Sequence, residues 1–273
     1  MYIIIGFIFA FLGLVLGSFS NVVINHFVKG ISINEDKGRS VCLSCNHRLA
    51  WYDNIPILSY ILLKGKCRYC GAHISRQYLL VELFGLFSGI SCFLVFNFGL
   101  LTGTPLIYSF DYHSVLYALA IIALFDAAII DAYTKEIPFS INIFIFVLAA
   151  LNYIVTASLT KNYGLDYLLG LFVPAVLLLG LYYIVLLVTK VECIGLGDVI
   201  LFCSLGFFLD YKNLLFIILV SSIVCSIVAL TKMAITKKKE EIAFVPYIAA
   251  AGIIAMFVGN LTINAYLGLL GIN

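Results

Sequence analysis

Charge is what this chain has least of. Asp, Glu, Lys and Arg make up 11% of its 273 residues, where a soluble domain carries about 25%. Internal repeats and low-complexity segments are absent, and the net charge of +2 is too small to call for an anionic partner. These absences exclude an ordinary cytosolic enzyme, a disordered chain and a nucleic-acid-binding domain. What fills the space is apolar: 63% hydrophobic residues and a mean hydropathy of +1.13. The composition is that of a polytopic membrane protein.

No water in the bilayer core can satisfy an open backbone, so a crossing helix needs about 20 mostly apolar residues. Uncharged runs of this kind occupy 2–25, 83–110, 137–160, 167–189, 213–231 and 242–273. Two more are less plain. The run 112–130 contains Asp126, and 199–209 is short unless its helix begins near Gly195. The expectation is an all-α fold of about eight transmembrane helices, with seven as the alternative. The first run lacks a basic leader and is long for a signal peptide, so it reads as a retained helix.

Basic residues fix the orientation. With eight helices, 14 of the 16 Lys and Arg fall on one side, and only Lys161 and Lys212 fall on the other. Basic loops stay cytoplasmic. Both termini then face outward, and the segment 26–77, rich in Lys and Arg, faces the cytoplasm.

That segment carries Cys42-Leu43-Ser44-Cys45 and Cys67-Arg68-Tyr69-Cys70. Two Cys-x-x-Cys knuckles at this separation suit a tetrahedral thiolate zinc site. A reducing compartment favours a metal over disulfides. Such a site is closed to chemistry and acts as a staple, because about 50 residues build little core alone. Arg39, Arg48, Lys66 and Arg68 flank it and would offset its negative charge. A redox dithiol pair is the competing reading. His47 and His73 read as surface residues, Cys92, Cys203 and Cys225 as packing residues, and Cys193 carries no expected role.

Fourteen acidic residues can be sorted by place. Glu35, Asp36 and Asp53 lie in the insert, and Glu240 and Glu241 in a charged loop. Asp111, Asp166 and Asp210 lie near outer span ends. Glu82, Asp126, Asp131, Glu136, Glu192 and Asp198 lie in or near helices on the cytoplasmic half. Ionisable groups there are costly, which makes each a functional candidate. Asp131 ends the third span and precedes Ile137-Pro138, where a first-turn proline can start the next helix. Asp198 follows Gly195-Leu196-Gly197, whose missing side chains admit a close neighbour. Both aspartates sit at one depth. Two carboxylates in contact share one proton, so one can activate a water while the other donates to a carbonyl. An ion or substrate transport site and a structural role stay open on these residues alone. Asp126 lies about 140° around a helix from Asp131 and shares no face with it. Glu82 can simply cap its span.

Seven motifs occur in order: Gly17-Ser18-Phe19-Ser20-Asn21-Val22-Val23; the paired Cys-x-x-Cys; Ile55-Pro56 with Ser59-Tyr60; Cys67-Arg68-Tyr69-Cys70; Ile74-Ser75-Arg76-Gln77-Tyr78 through Glu82; Asp131 with Ile137-Pro138; and Gly195-Leu196-Gly197-Asp198. The chain thereby resembles the bacterial type IV prepilin peptidases, membrane aspartyl proteases of the Gly-x-Gly-Asp class. The resemblance implies that Asp131 and Asp198 are the catalytic pair. It implies substrates that are prepilins or pseudopilins, cut at the cytoplasmic face after a glycine and before the pilin helix. It also implies, for many members, methylation of the new N-terminus with S-adenosylmethionine, a function of the N-terminal portion with its glycine-bearing first helix and cysteine insert. Family members commonly carry Lys two residues after the second aspartate and Asp or Asn after Ile-Pro. Here those positions hold Ile200 and Phe139.

The expected organisation is a first transmembrane helix over 1–25, a zinc module over 26–77 and a protease core over 78–273. Expected partners are the prepilin and the lipid bilayer, with no nucleic acid, in an inner or plasma membrane. The alternative is a transporter or assembly subunit with structural zinc.

Overall fold

The computed structural model describes residues 2–30, 40–97, 112–160, 164–190, 195–237 and 241–269. Glu35, Asp36, Lys37, Arg39, Asp111, Lys161, Glu192, Cys193, Lys238, Lys239 and Glu240 lie outside them. Each of the eight expected spans overlaps a helix, with residues 98–110 of the second span and 270–273 of the last lying outside the described residues. Six are long and apolar enough to cross a membrane, and two shorter apolar helices complete the set. The chain divides into two compact units, 1–118 and 119–273.

The first unit holds α1 (Tyr2–Lys29), the cysteine insert with a short α2 (Leu58–Leu62), and α3 (Arg76–Cys92), which runs into a π-helical turn, Phe93–Asn97. α3 begins seven residues before the apolar run that announced it. Its start is set by Ser75, whose hydroxyl accepts the Gln77 N–H at 3.3 Å. α1 packs along α3. Gly13 and Gly17 on α1 face Gly85 and Gly89 on α3, two pairs at four-residue spacing. A Cβ on Gly17 would sit 2.8 Å from the Val81 carbonyl, and one on Gly85 2.8 Å from Gly17 Cα. Backbones approach this closely only where side chains are missing. Between apolar helices in lipid, such contact is what supplies association.

The second unit contains most of α4 (His113–Thr134), α5 (Phe139–Thr160), α6 (Leu165–Thr189), α7 (Leu196–Leu209), α8 (Tyr211–Thr236) and α9 (Val245–Leu269). α7 is its centre, packed by α5, α6, α8 and α9. Leu201, Leu205 and Phe208 are wholly buried. α7 starts just after Gly195, which gives it 14 residues. Two asparagines of α5 hold its ends: Asn142 Nδ2 donates to the Gly197 carbonyl at 3.2 Å, and Asn152 Nδ2 to the Phe208 carbonyl at 2.8 Å. Gly206 meets Gly170 of α6 backbone to backbone. On the outer surface Leu187 is 81% exposed and Val176 71%. That apolar belt is at home only in lipid.

Gly85→Val should separate α1 from α3, because its branches have nowhere to go but into Gly13 and Gly17. We expect a loss of about 1–3 kcal/mol or more, read as a lower melting temperature of the purified protein. Gly180→Ala, within α6 and with open space around it, serves as the mild control.

Candidate active site and metal centre

Asp131 lies in the last turn of α4 and is buried. Its Oδ2 accepts the N–H of Val245 at 3.1 Å, across 114 positions of sequence. The Phe244 N–H also bonds this carboxylate, and the Lys135 charge acts on it. Val245 opens α9, so Asp131 meets the unpaired N–H groups and positive end of a distant helix. α4 stops there because Lys135 turns left-handed, φ +62°, and its N–H donates to the Asp131 carbonyl at 2.8 Å.

Asp198 lies in the first turn of α7, half-buried. The Gly195 N–H bonds its carboxylate, and the Asp131 charge acts on it. The structure therefore brings together the two aspartates singled out in the sequence. The flanking motifs explain themselves by contact. Gly197 leaves room for Ile137, whose side chain would lie 3.4 Å from a Cβ added there. Pro138 precedes α5 and accepts the Ile141 N–H at 3.0 Å. The Ile-Pro pair is thus the floor under the glycine turn that carries Asp198.

Other candidates fall elsewhere. Glu136 is exposed in the α4–α5 turn, and Asp126 is buried further back along α4. Phe139 is exposed, and Ile200 stands at the edge of exposure on α7. Glu82 does not cap α3, since Ser75 does. Cys225 of α8 feels the Asp198 charge, and Tyr247 of α9 that of Cys225. Nothing local in the sequence marks Cys225 as lying within reach of Asp198.

In the insert, the four thiols of Cys42, Cys45, Cys67 and Cys70 lie within 4.8 Å of one another, and Cys42 Sγ is 3.9 Å from Cys70 Sγ. Zinc–sulfur bonds of about 2.3 Å at tetrahedral angles place sulfurs roughly 3.8 Å apart. The two knuckles are built alike. Asn46 N–H reaches back to Cys42 O at 2.8 Å, and Gly71 N–H to Cys67 O at 2.9 Å. Each of those residues is left-handed, and single bridges Val41–Arg48 and Lys66–His73 close the two loops. Burial pushes the Cys42 thiol up, but N–H groups of Ser44 and Cys45 outweigh it and bring it down to about 7. The donors that favour a thiolate ligand are in place, so the set fits a dication. His47 stacks on Tyr69, ring centroids 3.7 Å apart, outside the thiol set.

Arg68 serves a purpose other than balancing the sulfurs. Its Nε donates to Asp53 Oδ1 at 2.7 Å, Tyr69 Oη to Asp53 Oδ2 at 3.0 Å, and Ala50 N–H to Asp53 Oδ2 at 3.3 Å. The two residues between the cysteines of the second knuckle thus grip the 3-10 turn Trp51–Asn54. Burial would raise the Asp53 carboxyl, but these donors outweigh it and hold it below the usual carboxylate range.

Comparison with known proteins agrees with this arrangement. Residues 11–96 match the bacterial peptidase A24 N-terminal domain and residues 118–230 the type IV leader peptidase family. A prepilin leader peptidase/N-methyltransferase of Vibrio cholerae is 33% identical over 231 residues, covering 81% of this chain and 83% of the relative. The chain belongs to the type IV leader peptidase family. Proteins of the same name from Stutzerimonas stutzeri, 30% identical over 94% of this chain and 91% of the relative, and Legionella pneumophila, 28% over 87% and 78%, are similar as well. No solved structure matches the chain. Family membership sets the transporter reading aside. Gly17 of the first-helix motif packs against the Val81 carbonyl and Glu82 Cα of α3.

Two outcomes test the insert. Purified protein should hold one zinc ion per chain, and Cys67→Ser should lose it, read by elemental analysis. Asp53→Ala should weaken the insert by about 1–2 kcal/mol, the low part of the range because Arg68 is half exposed. The chain's single tryptophan, Trp51, reports this by fluorescence during denaturant unfolding. Because the folded Asp53 carboxyl titrates lower than the unfolded one, its contribution is complete above about pH 4 and fades as pH falls through the folded value. The gap between wild type and variant should follow that course.

Proposed function

We propose that this chain removes the leader peptide of type IV prepilins or pseudopilins, with Asp131 and Asp198 as the catalytic dyad. The observation that carries the reading is that the charge of Asp131 acts on Asp198, where α4 ends and α7 begins. A water held between the pair loses a proton to one carboxylate and adds to the scissile carbonyl, while the other gives its proton to the carbonyl oxygen. Collapse of the resulting diol breaks the C–N bond and sends a proton to the leaving amine. The Val245 N–H holds Oδ2 of Asp131 in place.

The orientation follows the basic residues, with the insert and the dyad on the cytoplasmic side of an inner or plasma membrane and both termini outside. A basic leader then stays in the cytoplasm while the apolar pilin helix enters lipid, which puts the cut at the membrane boundary. Zinc in the four-cysteine site is structural, since four thiolates leave no open position. The double name of the relatives supports methyl transfer from S-adenosylmethionine to the new amine as a second activity, to which we attach no residue. The organisation we propose is the one expected: first helix, zinc module, protease core.

Mass spectrometry of a prepilin co-expressed with the chain reads both activities. Wild type should yield pilin cut after the leader glycine, with or without one added methyl group. Asp131→Asn and Asp198→Asn should each lower cleavage by roughly 10³-fold or more while accumulating normally in membranes. Persistent cleavage by either variant removes that residue from the dyad.

A further inference from the structure

Of the five motifs with no part in the dyad, three stand together: Gly17 through Asn21 on α1, Ile55-Pro56 in the insert, and Tyr78 through Glu82 on α3. They converge on one carboxylate. Glu82 Oε2 accepts the N–H of Ile57 at 2.7 Å, and Glu82 Oε1 the hydroxyl of Ser18 at 3.1 Å. One turn along α1, Asn21 Nδ2 donates to the Tyr78 carbonyl at 3.1 Å, and Asn25 Nδ2 to Tyr78 Oη at 2.8 Å. Glu82, Asn21 and Asn25 are all buried.

Helix pairing alone gives no reason for a carboxylate here. The glycines at 13, 17, 85 and 89 already join α1 to α3 backbone to backbone, and a buried acid between membrane helices is costly. The bond that reaches beyond the helix pair is the one to Ile57. That residue stands at φ +62°, ψ −52°, a conformation that a β-branched side chain avoids. Such a backbone persists only where its surroundings hold it. Ile57 is also the entry to α2, whose Tyr60 covers Gly65, two residues before the Cys67 knuckle.

We propose that Glu82 is a positioning residue that docks the zinc module onto the α1–α3 pair, through the Ile57 N–H. The carboxylate acts as a latch on the strained entry of α2 and thereby fixes the second knuckle relative to the membrane helices. Where the chain acts on prepilin as proposed above, a loose module should weaken substrate capture and leave bond cleavage alone.

The test is hydrogen exchange on the full-length, zinc-loaded protein, read at residues 55–62, which needs no substrate. Glu82→Leu should speed exchange of this segment roughly tenfold or more, with zinc content and membrane accumulation unchanged. Glu82→Gln keeps an acceptor for Ile57 and should restore protection. Ile57→Gly removes the strain and should recover part of the protection in the Glu82→Leu background, a coupling the double-mutant cycle measures. Protection unchanged by Glu82→Leu, exposure by Glu82→Gln equal to that by Glu82→Leu, no coupling to Ile57, or loss of zinc together with protection would each overturn the proposal. On prepilin, Glu82→Leu should raise KM with kcat held. A chain that failed to process prepilin at all would sink the function proposed above and leave the exchange result standing.

Discussion

A polar group in lipid must find its partner inside the protein, and that single requirement arranges this fold. Asn142 and Asn152 satisfy carbonyls at the two ends of α7. Asp210, at the junction of α7 and α8, accepts the Asn213 N–H at 2.8 Å and so caps α8. Glu82 and Asp131 each take backbone N–H groups from a distant segment. None of these pairs adds much to a hydrophobic core. Each forbids neighbouring registers, since sliding a helix by one residue would strand a carbonyl or a carboxylate where water cannot reach it. Glycine contacts give closeness, and the polar pairs give position.

The same economy appears in the insert. Two knuckles of like build supply the sulfurs, but the residues between the second pair of cysteines, Arg68 and Tyr69, tie the module to its own Asp53 turn. Beside its clustered thiols, the small module thus has an ion pair with aromatic cover from Tyr52, 5.1 Å beneath the guanidinium.

Much of this was legible in the residues. Apolar runs marked all eight helices, because the bilayer imposes a length that composition alone reveals. Asp131 and Asp198 stood out because charge is rare in such runs. The clustering of the four cysteines was plain from their spacing. What stayed hidden were pairings between remote positions. Val245 carries no side-chain signal, since its backbone N–H is what meets Asp131. Asn142 and Asn152 look like ordinary interruptions of an apolar run until α7 is laid beside them. Glu82 read as a helix cap because its local position suggested one; its partners, Ser18 and Ile57, are 64 and 25 positions away. Arg68 read as a counter-charge to the sulfurs because Asp53 gave no hint of its own need. Residue type shows what a side chain requires, and only the fold shows who supplies it.

The brevity of α7 has a further result. Its 14 residues reach about 21 Å, against a hydrocarbon layer of roughly 30 Å. A segment that short, ringed by longer neighbours, leaves a dimple in the apolar slab at one or both of its ends. The end bearing Asp198 is also the end bared of side chains at Gly195 and Gly197. Under the function proposed above, that hollow is where solvent and an unwound stretch of polypeptide would meet.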